Sequence, residues 1–333
     1  MYTFYINSPY LDEDILLRRG NWRAYDNEKE VDLIVIERGK TIEGLKNFYD
    51  KNIAIENYSI IENIDKYNLV KSYLDDQKNK KYVINQIPLN PKKLSNKVLN
   101  FIEEGKIYMV KPVDSGKGSG IFLIKNKEEL KKNYYKLNKT HGIYHAKLKR
   151  QNKVHWLLQE YLERPMLWKG RKFHIRSYYI ITKNRDIYFS KINFTLPAKK
   201  KYQLSNFKDK DIHDTHYDSN NEVIFCKESH DGFTDEQFNR MFKAIKNFHK
   251  TLIPKLKIKC YPGVNFCFEV LGSDIMFTEK GELKFLELNK EPAIFEKTIP
   301  FYNYLFEGIM KEVIDKKYPP KIKQEKNNNL IKL

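Results

Sequence analysis

The sequence predicts an α+β fold, on three observations. Hydrophobic residues make up 41% and aromatic residues 14% of the 333-residue chain, enough for a substantial core and too much for global disorder. In the middle of the chain the predicted strands outnumber the helices, which favours α+β over a doubly wound sheet. No apolar run approaches the about 18 residues of a membrane-spanning helix. Residues 1–9 also lack the basic start and apolar stretch of a signal peptide, so neither membrane nor secretion is expected.

Each element follows from its local pattern. Residues 2–6 and 32–36 are apolar runs between polar stretches, strands of a small α/β unit reaching about residue 65. Tyr67, Leu69, Val70 and Leu74 form the apolar face of a helix over 66–74. Residues 78–97 are largely polar, carry Pro88 and Pro91, and read as a linker. A strand over 107–112, a glycine-rich turn, a strand over 121–124 and a charged helix over 127–137 come next. Residues 156–162, 172–182 and 186–195 read as three further strands. The clearest helix starts at Thr234, whose spacing to Gln237 is that of a capping box. Phe238, Met241, Phe242, Ile245, Phe248 and Leu252 form its core stripe. Residues 265–289 read as two strands around a turn at 279–282, followed by a helix over 303–316. The tail 319–333, rich in Pro, Lys and Asn, is expected to be disordered. Cys226, Cys260 and Cys267 are odd in number and form no Cys-x-x-Cys pair. The expectation is no disulfide framework, no cysteine zinc site, and a cytoplasmic location.

The formal net charge is +18, with 61 basic against 43 acidic residues, and only 10 of the basic residues are Arg. Base-edge reading favours the planar Arg fork, so a lysine excess is weak support for sequence-specific nucleic-acid binding. The charge fits a solvated surface or attraction to an acidic partner, and alone does not choose among nucleic acid, an acidic protein tail and a nucleotide. No ribonucleoprotein-type aromatic signature or GXXG clamp supports RNA, so nucleic acid is not the expected partner.

Three constellations carry chemistry. In Lys111-Pro-Val-Asp-Ser-Gly-Lys-Gly-Ser-Gly-Ile121 three alternating glycines let backbone N–H groups approach a phosphate, with Lys111 as a fixed cation beside them. A strand follows, so this is neither a Walker A loop nor a dinucleotide fingerprint, and a plain hairpin turn is the alternative. Glu287 and Asn289, two apart on one strand, leave the same face, and Asp274 lies across the preceding turn. Two carboxylates and an amide embedded in apolar runs suit Mg²⁺ between phosphates, against a structural ion pair as the alternative. Lys172, His174 and Arg176 alternate with core-facing Phe173 and Ile175, so three donors project together towards an anion.

Taken together, these segments resemble the tubulin-tyrosine ligase-like family of ATP-grasp ligases. The ordered motifs are Arg18-Arg-Gly-Asn-Trp22, Lys66-x-x-Leu69, Lys111-Pro with its glycine loop, Leu158-Gln-Glu-Tyr-Leu162 and Gly170-Arg-Lys-Phe-His-Ile-Arg176. His213-x-Thr215, Phe268-Glu-x-Leu-Gly-x-Asp274 and Leu286-Glu-x-Asn289 complete the series. The resemblance implies an ATP-grasp fold with a small N-terminal α/β subdomain (1–65), a central subdomain (66–171), a C-terminal subdomain (172–318) and the basic tail. It implies Lys66, Lys111 and Lys172 on ATP phosphates, Gly116, Lys117 and Gly118 in the covering loop, and Gln159, Glu160, Tyr161 and Leu162 along adenine. Asp274, Glu287 and Asn289 would hold Mg²⁺, and Arg176, with Glu287 and Lys172, would serve the reaction. His174, His213 and Thr215 would face the substrates.

The implied activity is amide formation through an acyl phosphate. A free amino acid (Tyr, Glu or Gly) would join an acidic protein acceptor such as a tubulin tail. A non-catalytic member that binds ATP or an acidic surface is the alternative. Three departures from the family pattern stand out: His174 replaces an Asp, an Arg is missing after Asp186 where Lys199–Lys201 could substitute, and His213-Asp-Thr-His216 replaces His-Leu-Thr-Asn.

Overall fold

The computed structural model describes residues 1–7, 12–25, 31–36, 54–56, 67–90, 92–113, 120–137, 156–215, 223–260, 266–290, 292, 299–324 and 329–333. Near the start, short β-branched and aromatic runs form β1 (Tyr2–Asn7), β2 (Trp22–Ala24), β3 (Leu33–Ile36) and β4 (Ala54–Glu56), with α1 (Asp14–Leu17) between the first two. All four strands pair in parallel. The predicted helix over 66–74 is α2 (Asn68–Leu74).

The stretch expected to be a linker holds a strand. β5 (Gln86–Leu89), β6 (Tyr108–Pro112), β7 (Phe122–Ile124) and β8 (Trp156–Glu160) make an antiparallel four-stranded sheet in the order β5-β8-β6-β7. Pro88 is tolerated because β5 lies at the sheet edge, where a missing N–H breaks no inner ladder. Helices α3 (Asn96–Phe101) and α4 (Lys127–Asn133), capped by Ser95 and Asn126, bury Val98 and Leu130 against Tyr108, Val110, Trp156 and Leu158.

Among the described residues the second sheet has twelve strands. Beyond β1–β4 it contains β9 (Leu167–Trp168), β10 (Arg171–Thr182), β11 (Ile187–Ser190), β12 (Asn193–Pro197), β13 (Val223–Phe225), β14 (Phe266–Phe277), β15 (Leu283–Lys290) and β16 (Leu330–Lys332). Its main path is β13-β12-β10-β14-β4-β3-β1-β2, so β4 joins the N-terminal strands to the long strand β14. The single strand expected over 186–195 is two. β11 pairs with Tyr179–Ile181 and β12 with Phe173–Arg176, and Lys191 and Ile192 are extruded between them. The Asn193 side chain accepts from Tyr178 N at 3.1 Å across the break.

Period-two alternation splits β10 between two cores. Phe173, Ile175, Tyr179 and Ile181 face the layer closed by α6 (Asp235–Leu252), and Tyr178 and Ile180 face that closed by α7 (Ile299–Ile309) and the π-turn Met310–Ile314. Helix α6 has the full Thr234/Gln237 capping box and buries Phe238, Met241, Ile245, Phe248 and Leu252, as its periodicity predicts.

Two further expectations are corrected. The tail is not disordered where it is described: β16 pairs with β11, Leu330 is buried, and Asn329 Nδ2 donates to Tyr304 O at 2.7 Å. Ahead of it, Lys321 N and Ile322 N donate to Arg19 O, and buried Arg19 bonds Asp315 and Glu307. The Arg18–Trp22 motif thus anchors the C-terminal segment. Cys260 and Cys267, with Cα atoms 6.1 Å apart, form a disulfide, while Cys226 is free and buried. Their pairing depends on the chain returning into β14, which cysteine spacing does not reveal. Among the described residues no helix is long and apolar enough to cross a membrane.

Candidate active site

A cleft of about 350 Å³ opens between the two sheets. β6 and the segment after β8 form one wall, β10, β14 and β15 the other. Residues 207–215, including α5 (Lys210–His213), run along its rim. Ten of the residues singled out in the sequence line it: Lys111, Gln159, Glu160, Tyr161, Leu162, Lys172, His213, Thr215, Asp274 and Glu287. Arg176, His174 and Asn289 sit just behind, joined to the cleft through Asp274 and Thr215. Lys66, Gly116, Lys117 and Gly118 lie outside the described residues.

The acidic pair is set by strand register. Asp274 of β14 faces Glu287 of β15, and a β-bulge follows, so Ile275 pairs with Phe285 and Leu286 is left over. Neighbouring residues on a regular strand point to opposite faces; the bulge lets Leu286 and Glu287 both line the cleft. Asp274 has no solvent exposure. Its carboxylate accepts from Arg176 Nε, from Arg176 Nη2 at 3.0 Å and from Asn289 Nδ2 at 3.2 Å, while His174 Nε2 is 3.8 Å away. Burial alone would lower the Arg176 guanidinium; the charge and hydrogen bonds of Asp274 outweigh it, so the cation is held above its ordinary value. Gly272 makes room for this fork, because a Cβ there would lie 3.0 Å from Arg176 Cδ and 2.6 Å from Pro292 Cβ.

On β10 the predicted shared face is realised. Lys172 Nζ donates to Tyr161 Oη at 3.0 Å and to His213 O at 3.1 Å, and His174 Nδ1 meets Thr215 Oγ1 at 2.7 Å. Burial pulls Lys172 down to about 7, opposed by the charge of Asp214. Burial, then the nearby Lys172, takes His213 down to about 4, so its ring is neutral near pH 7. Gln159 is buried with its amide on Gln86 Oε1 at 3.0 Å. Lys199–Lys201, the expected stand-ins for the missing Arg, do not line the cleft; Lys200 is tied to Asp209 and Asp211, each at 3.1 Å.

Residues 45–327 match the tubulin-tyrosine ligase family. The chain belongs to that family. Its relatives include Tubulin glycylase 3E of Tetrahymena thermophila, 28% identical over 216 residues, which cover 58% of this chain and 14% of the relative. Human Tubulin polyglutamylase TTLL7 is 27% identical over 227 residues, 56% of this chain and 23% of that protein. A human protein named Inactive polyglycylase TTLL10 is 24% identical over 243 residues, 64% of this chain and 35% of that protein. The chain therefore spans between 14% and 38% of the length of such curated relatives.

This member of the tubulin-tyrosine ligase family also carries cleft residues that motif reading missed. Ile84, Met109, Leu123, Phe207, Met276 and Leu286 give one part of the cleft an apolar lining suited to a flat ring. Met276 is within reach of pattern reading, two residues past Asp274 on the same face. Ile84 and Phe207 come from irregular segments with no periodic signal.

Proposed function

We propose that the protein is an ATP-dependent carboxylate–amine ligase. It would join tyrosine, glutamate or glycine to an acidic protein tail of the tubulin kind. In this reading residues 66–171 and 172–318 are the two halves of an ATP-grasp fold that close on the nucleotide, beside an N-terminal subdomain over 1–65. The observation that carries it is the meeting, in one cleft, of Lys111 and Lys172 from two different sheets with the cross-strand carboxylates Asp274 and Glu287. Family membership and relatives named for glycylating and glutamylating tubulin support the same reading.

The donor set fits Mg²⁺. Asp274, Glu287 and Asn289 offer hard oxygen ligands, and this ion typically takes one or two carboxylates together with substrate phosphates. Asp274 would be shared between the ion and Arg176, and Glu287 would reach it from the cleft side. When bound, Mg·ATP supplies the γ-phosphoryl group and the cationic charge that convert an acceptor carboxylate into an acyl phosphate with release of ADP. The amine nitrogen then forms the C–N bond, and phosphate leaves. The protein's own part is positioning and charge neutralisation, which needs no side-chain nucleophile. Lys111 and Lys172 hold phosphate oxygens, the apolar lining holds adenine, and Arg176, behind Asp274, fixes that carboxylate and adds positive charge on the oxyanion's side of the cleft. The +18 charge steers an acidic acceptor to the protein. Such an acceptor would put the protein in the cytoplasm, a reducing compartment in which a disulfide such as Cys260–Cys267 is uncommon.

The test is incubation with Mg·ATP, each amino acid and tubulin, followed by mass spectrometry of the tubulin tails. Added residue mass on the tails is expected; unmodified tails with every amino acid would count against ligation. Binding is checked separately: Mg·ATP at a hundredfold excess over Kd should add about 2.7 kcal/mol of stability, and no thermal shift would remove the nucleotide site. A second reading, a family member that binds without ligating, rests on the Asp274 carboxylate already taken by Arg176 and Asn289 and on His174 in place of Asp.

A further inference from the structure

Lys172 is a buried cation whose two hydrogen-bond acceptors are uncharged, and the chain of contacts leading away from it runs in one direction. The Asn206 carbonyl can only accept, and it lies 3.1 Å from His213 Nε2, so that nitrogen carries the ring proton. His213 Nδ1 of the neutral ring is then an acceptor, and Tyr161 Oη, 2.7 Å away, must donate to it. With its hydrogen so committed, the Tyr161 oxygen turns a lone pair to Lys172 Nζ at 3.0 Å. Each proton follows from the one before it. The Tyr161 ring is seated by Ile107 and Phe207, and its backbone N–H is fixed on Ile107 O at 2.9 Å. The relay therefore starts on the rim helix α5, passes through the segment after β8, and ends on β10.

We propose that the Tyr161 hydroxyl and the His213 ring are positioning residues for Lys172, a directed relay that presents its ammonium to an incoming phosphate and couples phosphate affinity to α5. This rests on the nucleotide reading of the cleft given above. The titratable groups that share the cleft with Lys172 are Lys111 of β6, Glu160 and Tyr161 at the end of β8, Lys208, Asp209, Lys210, His213 and Asp214 along the rim, and Asp274 and Glu287 opposite, with Tyr202 packed against His213. Tyr161 and Tyr202 are pushed up by burial and stay neutral near pH 7, so Asp214 is the charge that favours the ammonium against burial. A hydrogen bond to a charged group contributes more than one between neutral partners. Losing the Tyr161 oxygen thus penalises the ammonium form specifically.

The experiment is calorimetric titration of Mg·ADP into the full chain from pH 6.5 to 9, for wild type, Tyr161→Phe, His213→Phe and the double variant. Tyr161→Phe keeps the ring and its packing, and melting curves confirm the fold. The expected wild-type affinity falls as pH rises, because Lys172 loses its proton. Tyr161→Phe should lower affinity about tenfold at pH 7.5 and displace the whole pH curve to lower values. The double variant should be no weaker than Tyr161→Phe alone, since both act through one chain. An unchanged Tyr161→Phe, a loss by one factor at every pH, or losses that add in the double variant would overturn the relay and leave the nucleotide reading standing. A wild type that binds no Mg·ADP would overturn both.

Discussion

Asp274 and Glu287 face each other across one strand pair, yet their surroundings assign them different energetic roles. Asp274 is fully buried and accepts from Arg176 and Asn289, whereas Glu287 is half-buried at the cleft. Removing one partner of a buried ion pair leaves the other charge uncompensated, which costs about 3–5 kcal/mol. Asp274→Asn is therefore expected to lower stability by about 3 kcal/mol or more and to abolish turnover along with it. On the proposed reading Glu287→Gln should cost about 1 kcal/mol or less and still abolish turnover, because a metal ligand would be lost and the fold would not. Urea unfolding paired with the tubulin-tail assay separates the two. Equal stability losses would mean that Glu287 is as structural as Asp274, and a Glu287→Gln enzyme that still ligates would remove it from the mechanism.

At the scale of elements, the C-terminal strand shows what a short segment contributes when its partners are distant. β16 closes on β11, Leu330 packs beneath α7, where Gly308 leaves it room, and Leu333 N donates to Ile187 O at 2.9 Å. Burying one leucine contributes about 1.5–3 kcal/mol, and each hydrogen bond about 1 kcal/mol. Deleting residues 325–333 is thus expected to destabilise the protein by about 2–4 kcal/mol, read as a fall in the urea midpoint; an unchanged midpoint would show the strand to be dispensable. The sequence concealed this because three apolar residues in a polar, Asn-rich stretch carry no periodic signal, and their partners are far along the chain. The same limit hid β5 behind its prolines, the break at Lys191–Ile192 and the Cys260–Cys267 bond, all settled by what lies opposite. Elements with an internal period were legible: α6 from its stripe and capping box, and the faces of β10 and β15 from alternation. Lys172 and Glu287 were legible for that reason, whereas Gln159, Glu160, Tyr161, Leu162, His213 and Thr215 came only with the family resemblance, and Leu286, brought into the cleft by a bulge, was not assigned to the site.

For the molecule as a whole, buried histidines tie stability to pH. His249 is fully enclosed between the rings of Tyr179, Phe189 and Phe248, with Nε2 3.3 Å from Ser273 Oγ. Burial takes it down to about 3 from an ordinary value of 6.5, and His213 falls to about 4. Both folded values lie below the unfolded one, so between them the unfolded chain binds protons that the folded chain refuses. Stability is then full above pH 6.5 and declines as pH falls towards 4 and 3. Each pH step inside the window costs on the order of 1.4 kcal/mol for each histidine. Together the two cost at most about 4 kcal/mol at pH 5 and about 8 kcal/mol by pH 3, against a total domain stability of about 5–15 kcal/mol, so they weaken the protein at mildly acidic pH and bring acid unfolding into reach below pH 5. Protonation also adds to the net +18, which strengthens self-repulsion in the same direction. The measurement is urea unfolding at pH 7.5, 6.0 and 5.0, with His249→Gln as the comparison, since an amide keeps a donor for Ser273 and does not titrate. The wild type should lose stability steeply below pH 6.5, and the variant should start lower but lose it about half as steeply. Parallel slopes would show that His249 is not the group that drives acid unfolding.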